Sequence, residues 1–240
     1  MNEDWSPAEL VAVTMSRAFR DGEVVVMGAV PTIPLAACRL ARTLHAPALS
    51  YIVGGSGTVN PTPASLPAQS CDPELEGGPC TLPLPDVVLL EGRGDVLDVF
   101  CAGGLQIDAH GNCNLVCVGE REDPKLRGPG SVGLPFLPDV GRTIIYTLAH
   151  DPRTFVEQVD FVSGAGDRAQ LVVTPLGTMD FDPESRRMRL ASTHPGVSVE
   201  NVVDATGFEL VLPPSVPETP PPTADELTVL RRLDPDGSLR

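Results

Sequence analysis

The chain has 240 residues, 42% of them hydrophobic and 20% charged, enough for one large α/β domain around a buried core. Aromatic residues make up only 4%, so the core must rest on Val, Leu, Ile and Ala, which favours buried parallel strands under helices over an aromatic-rich sandwich. Seventeen Lys and Arg against 32 Asp and Glu leave a net charge of −15, which repels nucleic-acid phosphates and anionic lipid and excludes both as expected partners. A small anionic ligand would need a local basic patch or a partner chain.

Ser6–Phe19 predicts an amphipathic helix, with Ser6 as cap, Pro7 at the first helical position, Glu9 in the first turn and Leu10, Val11, Val13, Met15 and Phe19 on one face. Asp21-Gly22 ends it. Glu23–Met27 then predicts a buried strand, Ile33–Leu44 a helix and Ala48–Val53 a second strand, a βαβ unit that implies a parallel sheet. A Gly-rich turn, Gly54–Gly57, follows. Asn60–Leu84 has no period and reads as a long ordered loop with one short helix, a length usual for functional or partner-contacting loops. Pro85–Leu90 and Val96–Cys101 have strand composition, and Arg142–Thr147, Gln158–Val162 and Gln170–Thr174 predict further short strands. Val197–Thr206 predicts a helix and Phe208–Leu212 a strand. Pro213–Pro222 predicts an extended segment, and Thr223–Arg232 a last helix capped by Thr223 with Glu226 three residues on. The expectation is one domain over 1–240, with 213–240 an extended tail and short helix.

Six cysteines (Cys38, Cys71, Cys80, Cys101, Cys113 and Cys117) occur without a signal-peptide pattern ahead of them, and Val24–Cys38 is too short and proline-broken to span a membrane. A cytoplasmic protein with reduced thiols is expected. Cys113 and Cys117 lack the partners of a zinc pattern and are expected to be buried structural thiols, with no metal bound.

The densest motif is Ala102-Gly103-Gly104-Leu105-Gln106-Ile107-Asp108-Ala109-His110-Gly111-Asn112-Cys113-Asn114. Two readings stand. Paired glycines let backbone N–H groups approach a ligand oxygen, as an oxyanion hole requires, and Asp-x-x-Gly-Asn also makes a tight turn by itself. His110 could meet a substrate or face solvent. Gln106, a candidate substrate contact, could equally join Asp108, Asn112 and Asn114 in holding the loop together. Arg121, Lys125 and Arg127 form the best local cationic cluster. Neither G-x-G-x-x-G nor G-x-x-x-x-G-K-[ST] occurs, so no nucleotide-binding loop is expected.

This motif is similar to the GGxQID-x-x-GN-x-N signature of class I coenzyme A transferase subunits. The resemblance extends to Asp21-Gly22 with its strand and Gly28, to Arg127-Gly128-Pro129-Gly130, and to His194-Pro195-Gly196-Val197 and Thr206-Gly207-Phe208, which look like the ending of glutaconate CoA-transferase B subunits. It implies an open, mostly parallel α/β sheet with flanking helices and a homologous A subunit, in a heterotetramer of two A and two B chains. It also implies an acyl-CoA substrate, with no separate cofactor because CoA arrives as part of that substrate.

In transferases of this family a glutamate in the turn equivalent to Ser50–Val59 attacks the thioester and becomes a glutamyl-CoA thioester. No acid lies between Leu49 and Leu66 here, so transfer through this chain is not expected. Two branches of the family also lack that glutamate. One is a ring-opening hydrolase of cyclic CoA thioesters that uses a glutamate from its A subunit. The other is a myxobacterial 3-methylglutaconyl-CoA decarboxylase, which the Gly-Gly-x-Gly turn and the length resemble most. That branch carries a cysteine in place of the glutamate, and the matching position is Ser56 (Gly55 if the alignment slips by one). The resemblance thus implies a decarboxylase subunit with Ser56, Gly103 and Gly104 as catalytic candidates and Gly54, Gly55, Gly57, Gln106 and His110 as substrate contacts. The hydrolase subunit and a non-catalytic subunit completing the partner's site remain as alternatives, and Ser56 can also be read as a small turn residue.

Overall fold

A computed structural model describes residues 5–240, so the acidic start Met1–Asp4 lies outside the described residues. The chain forms two compact units, residues 5–101 with Pro222–Arg240, and Ala102–Pro221.

The first unit holds α1 (Pro7–Ala18), β1 (Val24–Met27), α2 (Thr32–Leu44), β2 (Ser50–Val53), β3 (Thr58–Val59), β4 (Cys80–Thr81), α3 (Leu84–Glu91), β5 (Val99–Ala102, its last residue counted with the second unit) and α5 (Ala224–Leu233), the last after α4 of the second unit (Val199–Asp204). Its strands run in the order β5-β1-β2-β3-β4, with β1 parallel to both β5 and β2 and the β3 and β4 margin antiparallel. The local signals for α1 and α5 act as read. Ser6 and Thr223 each accept from the backbone N–H three residues on, and Glu9 and Glu226 bond back to the cap N–H. Those glutamates also receive Arg231 and Arg17, in contacts of 2.8 and 2.7 Å, which tie α5 to α1. Under these helices Val11, Ala12, Met15, Leu35 and Leu40 are fully buried, as are Val25, Val26 and Leu49. This continuous aliphatic core is the dominant favourable term in the unit.

The second unit holds β6 (Gln106–Asp108), β7 (Cys113–Asn114), β8 (Cys117–Gly119), β9 (Pro124–Arg127), β10 (Arg142–Tyr146), β11 (Phe155–Val156), β12 (Ala169–Val173), β13 (Gly177–Phe181), β14 (Met188–Thr193) and α4. Its sheet runs β14-β13-β12-β10, with β10 and β12 parallel and the rest antiparallel. A small sheet, β11-β6-β7, carries the glycine signature, and β8 pairs with β9 in a ribbon. Ile107, Leu137, Ile144, Ile145, Phe155, Val172, Met179 and Leu190 form its core.

Three sequence expectations are corrected. Pro85–Leu90 is helical (α3), because Pro85 in the first turn costs no hydrogen bond and Asp86 makes that turn acidic, outweighing the β-branched pair Val87-Val88. Gln158–Val162 is a loop held by Asp160, and the strand lies just before it, at β11. Phe208–Leu212 forms only an isolated bridge, Arg189 with Val211, since Pro213-Pro214 ends any ladder. Cys113 and Cys117 are buried free thiols, as expected, and burial pushes the Cys113 thiol up to about 12. Among the described residues no helix is long and apolar enough to cross a membrane.

Candidate functional site

The predicted site residues fall on two glycine-rich elements, one in each unit. In the first, β2 ends in the turn Val53–Gly57, where the Gly54 N–H donates to Met27 O (2.9 Å) and the Gly57 N–H to Val53 O (2.8 Å). Ser56 is half-buried at its tip. Its hydroxyl donates to Val53 O (3.3 Å) and accepts from the Thr58 N–H (3.2 Å), so it braces the turn. No histidine, lysine or carboxylate bonds it among the described residues, and an unactivated hydroxyl is a weak nucleophile at neutral pH.

Gly57 has φ +69° and its missing Cβ would strike the Leu82 carbonyl oxygen. That carbonyl belongs to the long loop, whose Leu82 N–H donates to Gly57 O at 2.9 Å. Gly57→Ala is therefore expected to cost about 2 kcal/mol or more in denaturant unfolding, and a loss below about 0.5 kcal/mol would show that the turn is not held this way. The loop Asn60–Leu84 folds back over the turn, with a 3-10 turn at Pro73–Leu75. With Gly55, Ser56, Thr58 and Thr81 it lines an open pocket of about 530 Å³, which Cys71, Asp72 and Glu76 also border. Two acids and no base suit it poorly to phosphate. Positive charge in this unit gathers instead at Arg39 and Arg42, which line a separate pocket of about 340 Å³ with Tyr51 and Asn60.

A further acid lies beside the turn. Glu91, the last residue of α3, is 6% exposed and sits so close that a Cβ on Gly54 would come 3.5 Å from its Oε1. Val87, one helical turn earlier, would touch a Cβ on Gly57 at 3.4 Å, so one face of α3 lies along the whole turn. Burial pushes the Glu91 carboxyl up to about 7. Sequence reasoning missed this residue because its segment was read as a strand; the available signal was an acid closing an apolar run before Gly92.

In the second unit Gly103 and Gly104 follow the motif's strand as half-buried residues, and neither N–H has an acceptor among the described residues. A Cβ on Gly104 would lie 2.7 Å from Gln106 O, so only glycine fits this bend. Gln106 is buried and internally bonded, accepting from Asn114 Nδ2 (2.7 Å) and the Asp160 N–H (3.1 Å) and donating to Asp160 Oδ2 (3.0 Å). Asn114 also donates to Cys117 O and accepts from the Val116 and Cys117 N–H groups. Asp108 accepts from the His110 and Asn112 N–H groups (3.0 Å each) and from Asn112 Nδ2. His110 is exposed, with Nδ1 3.2 Å from Arg186 O. The polar signature residues thus shape the loop, and the glycine N–H groups are its open donors. Arg121, Lys125 and Arg127 stand exposed around the β8–β9 ribbon.

The Thr206-Gly207-Phe208 motif packs around His150. Its ring nitrogens lie 2.8 Å from Thr174 Oγ1 and 3.0 Å from Thr206 Oγ1, and it stacks on Phe155, which also meets Phe208. Burial pushes His150 and the fully buried His194 down to about 4.

Parallel strands ending in glycine turns, with N–H groups at Gly103 and Gly104 that have no acceptor among the described residues, define an open-sheet α/β protein. The chain belongs to the coenzyme A transferase family, whose sequence pattern matches residues 8–205. It is 31% identical to the glutaconate CoA-transferase B chain of Acidaminococcus fermentans, over 97% of this chain and 94% of that one. The crystal structure of that transferase superposes with a TM-score of 0.88, covering 98% and 97% of the two chains at 29% identity. The cholesterol ring-cleaving hydrolase IpdB subunit of Mycobacterium tuberculosis is 32% identical over 97% of this chain and 96% of its own. The crystal structure of the decarboxylase AibA/AibB matches with a TM-score of 0.88, 27% identity and coverage of 98% and 97%.

Proposed function

We propose that this chain is the B subunit of a CoA-thioester decarboxylase, converting 3-methylglutaconyl-CoA to 3,3-dimethylacrylyl-CoA and CO2 together with a homologous A subunit in a heterotetramer of two A and two B chains. The observation that carries this reading is the Gly54–Gly57 turn, which holds no carboxylate and whose one hydroxyl, on Ser56, is engaged within the turn. A covalent glutamyl-CoA intermediate has no carrier there.

Decarboxylation needs no such carrier. The substrate carboxylate is vinylogous to the thioester carbonyl, so breaking its C–C bond moves the electron pair onto the thioester oxygen as a dienolate. The Gly103 and Gly104 N–H groups are suited to receive that oxyanion, and one donor of this kind contributes about 3–4 kcal/mol. The apolar side chains of α3, Leu84 at 59%, Val88 at 38% and Leu89 at 70% exposed, fit burial under the A subunit.

A second reading, a hydrolase of cyclic acyl-CoA with its glutamate on the A subunit, is favoured by the 32% identity to the ring-cleaving hydrolase subunit. The test uses the chain co-purified with its A subunit, given 3-methylglutaconyl-CoA with and without acetate and followed by mass spectrometry. Acetate-independent CO2 and 3,3-dimethylacrylyl-CoA are expected. Acetyl-CoA with free 3-methylglutaconate would mean transfer, and an unchanged substrate would leave the hydrolase or a non-catalytic role.

A further inference from the structure

We propose that Glu91 is the catalytic acid of this site, a carboxylic acid delivered from α3 to the turn that in transferases carries the glutamate. The inference rests on the reading of the chain as a subunit acting on an acyl-CoA. Three observations carry it.

The first is position. In open α/β sheets ligands bind at the carboxyl ends of the parallel strands. Glu91 stands at that end of β1 and β2, because the Cβ position of Gly54 is 3.5 Å from Glu91 Oε1 and 3.0 Å from Met27 O. An added Cβ on Gly28, the residue after β1, meets nothing within 4 Å, so there is room beside the strand ends.

The second is the absence of a structural partner. Glu91 is 94% buried, yet among the described residues its carboxylate makes no hydrogen bond or ion pair. Its oxygens are not sealed from solvent, so a largely buried carboxyl with no protein partner stands open to a ligand at the strand-end turn.

The third is electrostatic. The ionisable groups of the elements around it are Tyr51 on β2, Cys101 on β5, Cys71, Asp72 and Glu76 on the loop folded over the turn, and on its own helix the exposed Asp86. The nearby Arg93 is bound to Asp95 in an exposed pair. Desolvation alone raises Glu91, and it raises it to about 7, where a group is well matched to give and regain a proton at neutral pH.

The bond between the substrate carboxylate and its carbon breaks, CO2 leaves, and the electron pair passes into the dienolate. As the dienolate collapses back to the thioester, its terminal carbon takes the Glu91 proton to form the new C–H bond. Glu91 is left as a carboxylate and regains a proton from water. A carboxyl placed on the turn tip would be a nucleophile exposed to the thioester, whereas the same group held under the turn in its neutral form donates a proton.

The experiment compares wild-type and Glu91→Gln chains, each co-purified with the A subunit, for product formation from 3-methylglutaconyl-CoA between pH 5.5 and 8.5. Glu91→Gln is expected to lower kcat about 100-fold or more at unchanged KM, and to remove a fall in wild-type rate above about pH 7. Glu91→Asp should restore part of the rate. Labelling wild-type glutamates with 13C at the carboxyl gives a readout independent of any variant's folding, with one carboxyl expected to titrate near pH 7. A Gln variant within threefold of wild type, or one that keeps the same pH limb, overturns the role of Glu91 while leaving the decarboxylase reading intact. Hydrolysis or transfer by the wild type, lost in the variant, overturns that reading and keeps Glu91 as the acid–base group. A wild-type complex that leaves every CoA thioester unchanged, or a labelled protein with no carboxyl titrating above pH 6, overturns the proposal.

Discussion

Asn114→Leu is expected to destabilise the protein by about 3–5 kcal/mol and to abolish turnover with it. Asn114 is completely buried, and its one amide group serves four partners: Gln106 Oε1, Cys117 O and the N–H groups of Val116 and Cys117. Leucine has about the same size and none of these bonds, so buried donors and acceptors are left without partners at about 1–3 kcal/mol each. The damage passes to the glycine pair, because the Leu105 N–H donates to Asn114 O (2.7 Å) and the Gly104 bend lies against the Asn114 backbone. Gln106, Asp160 and the Gly119 N–H belong to the same network, so Gln106→Leu should be sub-additive with Asn114→Leu. Urea unfolding checks this, with the exposed neighbour His110→Ala as a control expected to change stability by less than about 0.5 kcal/mol. An Asn114→Leu loss below about 1 kcal/mol would remove the structural account of the signature.

The second large effect is a loss of stability on mild acidification. Burial holds His150 and His194 at about 4, below their ordinary 6.5. Between those values the unfolded chain binds protons that the folded chain refuses, so stability must fall as pH drops through the window. Each histidine contributes about 3 kcal/mol of that fall. Glu91 works in the opposite direction. Its folded pKa is raised from 4.5 to about 7, so the folded chain binds its proton first, and acidification between those values stabilises it by a similar amount. The net expectation is a loss on the order of 3 kcal/mol between pH 6.5 and 4.5, steeper in Glu91→Gln and shallower in His150→Asn. Urea midpoints measured across that range test it. A wild-type midpoint that holds steady, or rises, would mean that the histidines are hydrated in solution.

What the sequence determined by itself about this protein was local or carried by a long specific motif. The capped helices α1 and α5 were legible because Ser6 with Glu9, and Thr223 with Glu226, act within one turn of chain. The βαβ start was legible because aliphatic runs and helical spacing alternate there, the glycine signature gave away the family, and the acid-free stretch between Leu49 and Leu66 the missing glutamate. Tertiary structure alone decided the rest. Strands β13 and β14 went unread because Thr178, Asp180, Arg189 and Ser192 make them half-polar, and they exist by pairing with each other, with Arg189 bound to Asp180 across the ladder. The α3 segment was ambiguous as four apolar residues, Val87 to Leu90, between two acids, and only the tertiary fold laid one face of it along the turn. Glu91 was invisible for the same reason. Whether a glutamate at a helix end meets water or is stripped of it is not a property of its neighbours in sequence, but of which strand ends the fold brings up against it.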